Sequence, residues 1–142
     1  MEDPKQLLFC AVLGQVALTI ILYLLLVRSR FAAANDPTLD RKRLAYDQGA
    51  WPMRSRLISN SVTSQFELPV LFYVGVLFAF QLERADKTLA ILAVIFVVLR
   101  VIHALIHTTH NVVLHRFGAF LLGFITLIVF WCILAVRMLG LA

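Results

Sequence analysis

Four apolar stretches separated by three polar links take up most of the 142-residue chain. The first covers residues 7–27 and carries Gln15 and Thr19 as its only side-chain interruptions. A helix of about 20 apolar residues crosses a bilayer, so this stretch predicts a first spanning helix. Its flanks predict that it is retained rather than cleaved: the segment before it, MEDPKQ, leans acidic, and the positive charges, Arg28 and Arg30, come after it. The clean apolar run at 68–82 is too short to span, so the second helix is expected to reach back to about residue 58. Pro69 has no N–H to offer the carbonyl of Gln65, which predicts a bend there. The third and fourth helices are expected at about 88–107 and 117–139, and the short turn ERADK joins the second to the third. The pattern is that of an all-α, integral membrane four-helix bundle, a single domain filling residues 1–142.

Two polar stripes break the pattern. On the third helix Arg100, His103, His107 and His110 fall within about 80° of one another at 100° per residue, a single face of an otherwise apolar helix. On the second, Asn60, Thr63, Ser64 and Glu67 share another face, within about 100° by the same count, and Gln65 falls off it. An arginine near the middle of the hydrocarbon costs roughly 2.5 to 3.5 kcal/mol on the gentlest insertion scale. Arg100 therefore needs compensation inside the protein. The two helices run antiparallel, and counting about 1.5 Å per residue from the same membrane surface brings Glu67 to the depth of Arg100. This predicts a buried Glu67–Arg100 ion pair, with Asn60 and Ser64 grouped near His103 and His107. Intramembrane ionisable groups mark a ligand site by default, although such a pair can also serve only to set helix register.

Composition narrows the class. Hydrophobic residues make up 61% of the chain and charged ones 15%, which leaves no room for a soluble domain beside the four helices. The formal charge of +5 does not point to nucleic acid, because the basic residues flank the helices. Seven lie in the 28–57 link and, with Arg116, eight share one side of the membrane; four lie on the other, and Arg100 is the thirteenth. By the positive-inside rule the long basic loop 28–57 and the link 108–116 are expected in the cytoplasm, and both termini on the opposite side. Cys10 and Cys132 sit in apolar runs and read as small hydrophobes. The small-residue pairs Gly75 with Ala79 and Ala119 with Gly123 read as contacts for close helix packing in an oligomer.

Arg100, His103, the polar residue at 107 and Arg116, with QFELPVLFY closing the polar part of the second helix, resemble the membrane-associated proteins in eicosanoid and glutathione metabolism, the MAPEG family. The match looks like a bacterial-type or divergent member and covers nearly the whole chain. The resemblance implies a homotrimer that binds glutathione as co-substrate between subunits near the cytoplasmic side, with a lipophilic co-substrate arriving through the membrane lipids. It implies that Arg116 stabilises the glutathione thiolate, with His107 beside the sulfur. It places Arg28, Arg30, Asn60, Gln65, Glu67, Arg100 and His103 among the residues that hold the peptide or support those that do. Two positions depart from the catalytic pattern: His107 stands where a tyrosine is usual, and Gln65 where glutamate is common.

The residue types suit that chemistry. Arginine recognises the two carboxylates of glutathione bidentately, Glu67 can meet its ammonium, and a guanidinium in a partly dry site lowers a thiol pKa. The expected activity is that of a membrane-bound glutathione-dependent transferase or peroxidase. The alternative is a non-catalytic scaffold that binds lipid or glutathione, consistent with the change at His107. A metal site built from His103, His107, His110 and Glu67 is a third reading, weakened by Arg100 on the same stripe, which repels a cation; the site residues are therefore read without a metal.

Overall fold

The computed structural model describes residues 3–140. It contains α1 (Pro4–Ala34), α2 (Arg41–Leu44), α3 (Met53–Thr63), α4 (Leu68–Gln81), α5 (Lys87–Thr108) and α6 (Val113–Met138), with 3-10 turns at Gln48–Ala50 and Ser64–Phe66. Four stretches are long and apolar enough to cross a membrane: α1, the α3–α4 pair taken together, α5 and α6.

α1 begins at Asp3, whose side chain accepts from the Lys5 N–H at 3.0 Å, with Pro4 in the first turn. It ends seven residues later than expected, so Arg28 and Arg30 are helical rather than part of the link. The run Phe31-Ala-Ala-Ala propagates the helix until Asn35 closes it on the Phe31 carbonyl at 3.3 Å. Within the basic link, Asp40 caps α2 through the Lys42 and Arg43 N–H groups. Asp47 accepts from Arg43 Nε at 2.9 Å and from the Gly49 N–H at 2.8 Å. The Arg43 side chain, helped by that N–H, holds the Asp47 carboxyl below the usual carboxylate range. The Arg30 guanidinium lies over the Trp51 ring, 4.9 Å from its centroid, a contact between a cation and an interfacial aromatic.

The second span is not one helix. It tightens to a 3-10 turn at Ser64–Phe66, breaks at Glu67 (φ −101°, ψ −102°) and restarts at Leu68 with Pro69 in its first turn. The proline ring and its missing N–H forbid a continuous helix across Gln65. The bend expected from Pro69 is thus a full interruption, centred two residues earlier.

The core has two layers. In the half of the membrane that contains the second link, all four spans meet: Leu8 and Ala11 of α1, Phe72, Val76 and Ala79 of α4, Ala93 and Phe96 of α5, Phe130 and Leu134 of α6. In the other half only three do, through Leu22 and Leu26 of α1, Ile58 and Val62 of α3, and Ala104 of α5. There α3 nestles by burying small hydroxyl residues, with Ser55 Oγ 2.6 Å from Ser29 Oγ on α1. The beginning of α6 adds no residue to this layer; it borders a gap over α5.

The small residues pack within one chain. A Cβ on Gly75 would lie 2.9 Å from Phe130 Cε1 and 3.3 Å from Trp131, so Gly75 is where α4 and α6 touch. Gly123 faces Leu99 of α5. The close helix contacts expected of these pairs are made within the chain. At the end of the bundle that carries the second link, Asp86 caps α5 through the Leu89 N–H and pairs with Arg137 at 2.6 Å, tying the start of α5 to the end of α6.

Candidate functional site

The gap beside α6 is a cleft of about 340 Å³. Asn60, Ser64 and Glu67 form one wall, His103 and His107 of α5 the floor, and Val113, Arg116, Phe117 and Phe120 of α6 the other wall. Asn60, Ser64 and Glu67 of one expected polar stripe and His103 and His107 of the other therefore face the same space. The first wall and the floor are polar, and the α6 wall is apolar apart from Arg116.

Arg116 sits in the first turn of α6, because that helix starts at Val113 and not near residue 117 as expected. Its Nη1 donates to Asn111 Oδ1 at 2.6 Å. Asn111 adopts the left-handed conformation at φ +46°, which asparagine tolerates better than most residues. Its own N–H closes α5 on the Ile106 carbonyl at 2.8 Å. One residue thus ends α5, turns the chain and holds the arginine. Across the cleft His103 Nδ1 donates to the Arg116 carbonyl at 3.2 Å, which fixes the imidazole tautomer and ties α5 to the base of α6. His107 stands edge-on to His103, ring centroids 5.7 Å apart, with a buried Nδ1 that has no hydrogen-bond partner.

Arg100 lies beneath the polar wall, 1% exposed. The expected ion pair to Glu67 is not formed: among the described residues the ion pairs are Arg43–Asp47 and Arg137–Asp86. Arg100 Nη2 donates instead to the Ser64 carbonyl at 2.8 Å and to Ser64 Oγ at 2.9 Å. The physical reason is the broken helix. In a continuous helix the Ser64 carbonyl would bond the N–H four residues on; the 3-10 turn at Ser64–Phe66 and the interruption at Glu67 end that pattern, and Glu67 lies at the exposed surface of the cleft. Arg100 Nε and Nη1 are buried and have no partner.

Several other residues lie elsewhere. Gln65, expected off the polar face, is 2% exposed and packs toward α1, where its Oε1 accepts from Gln15 Nε2 at 2.9 Å. Arg28 is exposed on α1, and Arg30 is engaged by Trp51; neither lines the cleft. His110 lies past the end of α5, exposed and within 3.0 Å of Thr109 Oγ1, so the three histidines considered for a metal do not come together. Asn111 and Gln15 were missed by sequence reasoning. A lone asparagine after a helix end and a lone glutamine in an apolar run were the available signals.

A comparison with known families matches the MAPEG family over residues 7–136. The chain belongs to the MAPEG family. This MAPEG chain, with its four apolar spans, is an integral membrane protein. Neither the curated proteins nor the solved structures gave a match. MAPEG membership covers glutathione transferases and peroxidases together with members of other kinds.

Proposed function

We propose that this MAPEG protein binds glutathione in the cleft between α3, α5 and α6, ionises its thiol beside Arg116, and presents the thiolate to a lipophilic electrophile or hydroperoxide entering from the bilayer. The observation that carries this reading is the convergence of Asn60, Glu67, His103, His107 and Arg116 on one cleft. Glu67 offers a carboxylate to the ligand's ammonium, and Asn60 a neutral donor and acceptor to its peptide. Arg116, tethered at one nitrogen only, offers the rest of its guanidinium to the sulfur, where positive charge in a partly dry site favours the thiolate. His107 can donate a hydrogen bond to the same atom. Val113, Phe117 and Phe120 form the apolar side along which a hydrophobic co-substrate reaches the sulfur.

For conjugation, the thiolate attacks carbon and the leaving group departs with the electron pair. For reduction, the thiolate attacks the terminal hydroperoxide oxygen, the O–O bond breaks and the alkoxide leaves as the alcohol after protonation, and a second glutathione then displaces water from the resulting sulfenic acid to give the disulfide. The open side of the cleft is the place for a neighbouring subunit. In a homotrimer the Arg28 or Arg30 of that neighbour, at the cytoplasmic end of α1, would supply the charge for a second carboxylate. The long basic loop faces the cytoplasm in this arrangement.

The test is a calorimetric titration of the detergent-purified protein with glutathione in two buffers of different ionisation enthalpy. Binding with release of a proton is expected, and Arg116→Ala should keep the fold and bind glutathione without that release. Conjugation in Arg116→Ala at the wild-type rate would remove its role. Absence of glutathione binding would favour the scaffold reading, for which the apolar α6 wall suits a lipid chain.

A further inference from the structure

Gln15 is the least expected residue of α1. It stands in the middle of a 31-residue helix and is 0% exposed. Burying a primary amide there costs free energy unless its hydrogen bonds are made, and a leucine would serve packing alone. Gln15 Nε2 donates to Gln65 Oε1 at 2.9 Å. Gln65 Nε2 donates to the Ser61 carbonyl at 2.9 Å and to Ser64 Oγ at 3.3 Å. Ser64 Oγ donates to the Ser61 carbonyl and accepts from Arg100 Nη2, both at 2.9 Å. In this chain Ser64 Oγ uses its proton and both lone pairs, and both protons of the Gln65 amide are committed. Gln65 can therefore point only one way: reversed, its oxygen would face the Ser61 carbonyl. The group that meets the oxygen in the observed orientation is Gln15.

We propose that Gln15, on a helix that does not line the cleft, is a positioning residue for ligand binding at it: through Gln65 it holds Ser64, which forms part of the cleft wall and anchors the Arg100 guanidinium buried behind that wall. The proposal rests on the reading of the cleft as a glutathione site. Ser64 is both part of the cleft wall and the acceptor for Arg100, so the relay ends at the surface that a ligand in the cleft would meet. Arg116, held separately by Asn111, is outside it. Gln15 thus governs affinity for the peptide and not ionisation of its thiol.

The test uses Gln15→Met, similar in length but unable to donate, and the double variant Gln15→Leu/Gln65→Leu, which leaves no orphaned amide. Two readouts are needed. In calorimetry, loosening of the Ser64 wall, equivalent to the loss of one well-placed hydrogen bond, should weaken glutathione binding about tenfold in both variants, with the number of protons released per bound glutathione unchanged. Gln15→Met should add nothing to the loss caused by Ser64→Ala, as for members of one network. Independently of ligand, the Arg100 Nε–H signal in side-chain NMR, assigned by its absence in Arg100→Lys, should shift or broaden in Gln15→Met. An unmoved Arg100 signal, or additive losses with Ser64→Ala, would overturn the relay. Failure of the wild-type protein to bind glutathione would overturn the reading of the cleft, and the Arg100 signal would still decide whether Gln15 positions that arginine.

Discussion

Arg116 and Arg100 are held in contrasting ways. Arg116 has one side-chain contact, to an asparagine in a left-handed turn; Arg100 is anchored to a backbone carbonyl and a hydroxyl in a buried network. The first arrangement leaves a cation free to meet a charge that appears during binding, and the second fixes a cation in advance. Asn111→Gly separates the two duties of Asn111, because glycine keeps the left-handed turn and removes the side-chain bond. It should leave thermal stability nearly unchanged and lower the fraction of bound glutathione present as thiolate at neutral pH by roughly tenfold, about one pKa unit. An unaltered thiolate absorbance would mean that Asn111 serves as a helix terminator only. At this scale the sequence disclosed which polar residues lie on one helical face, since that follows from a fixed angle per residue. It did not disclose the partner of Arg100. Depth matching assumed a helix of constant rise, and the acceptors are the carbonyl and hydroxyl of Ser64, where the helix tightens before its break.

Among the elements, α4 is set by two features, the interruption at Glu67 and the contact at Gly75. The interruption lets α3 and α4 rotate independently, so that α3 buries Ser55, Ile58 and Ser61 while α4 presents Phe72 and Val76 to the other layer. Pro69 made a bend legible. The extent of the break was not, because 3-10 winding before a proline depends on what the freed carbonyls find. The Gly75 contact leaves no slack: the added carbon would meet the Phe130 ring at 2.9 Å, and that ring is 1% exposed and has no space into which to move. Gly75→Ala should therefore destabilise the protein by about 1–3 kcal/mol, the range for overpacking a filled core. The same substitution at Gly118, where nothing lies within 4 Å, should cost nothing or raise helix stability slightly. Thermal unfolding of both variants in one detergent checks the contrast, and equal melting temperatures would contradict it. From the sequence alone Gly75 and Ala79 read as a surface for a neighbour, since spacing shows a smooth face without showing what covers it.

For the whole molecule, the division into a four-helix layer and a three-helix layer explains why the cleft lies where it does. Apolar content and run length identified the spans, and the family match over residues 7–136 agrees with that layout. The early start of α6 at Val113 was hidden, because its first turn, Val-Leu-His-Arg, is too polar to count as membrane-spanning and reads as a link. The arrangement of Arg100 also bears on how the protein is made. Its acceptors at Ser64 belong to the span synthesised before it, so the cation enters the bilayer only after its docking place exists. Entry of the third span is thereby expected to depend on the second, the two acting as one insertion unit. A glycosylation reporter placed after residue 108 should show poorer membrane integration of 87–108 when Ser64 is replaced by Leu than in the wild-type chain. Restoring Arg100→Leu in the same chain should abolish the difference. Equal integration in all three would mean that the translocation machinery accepts this arginine unaided.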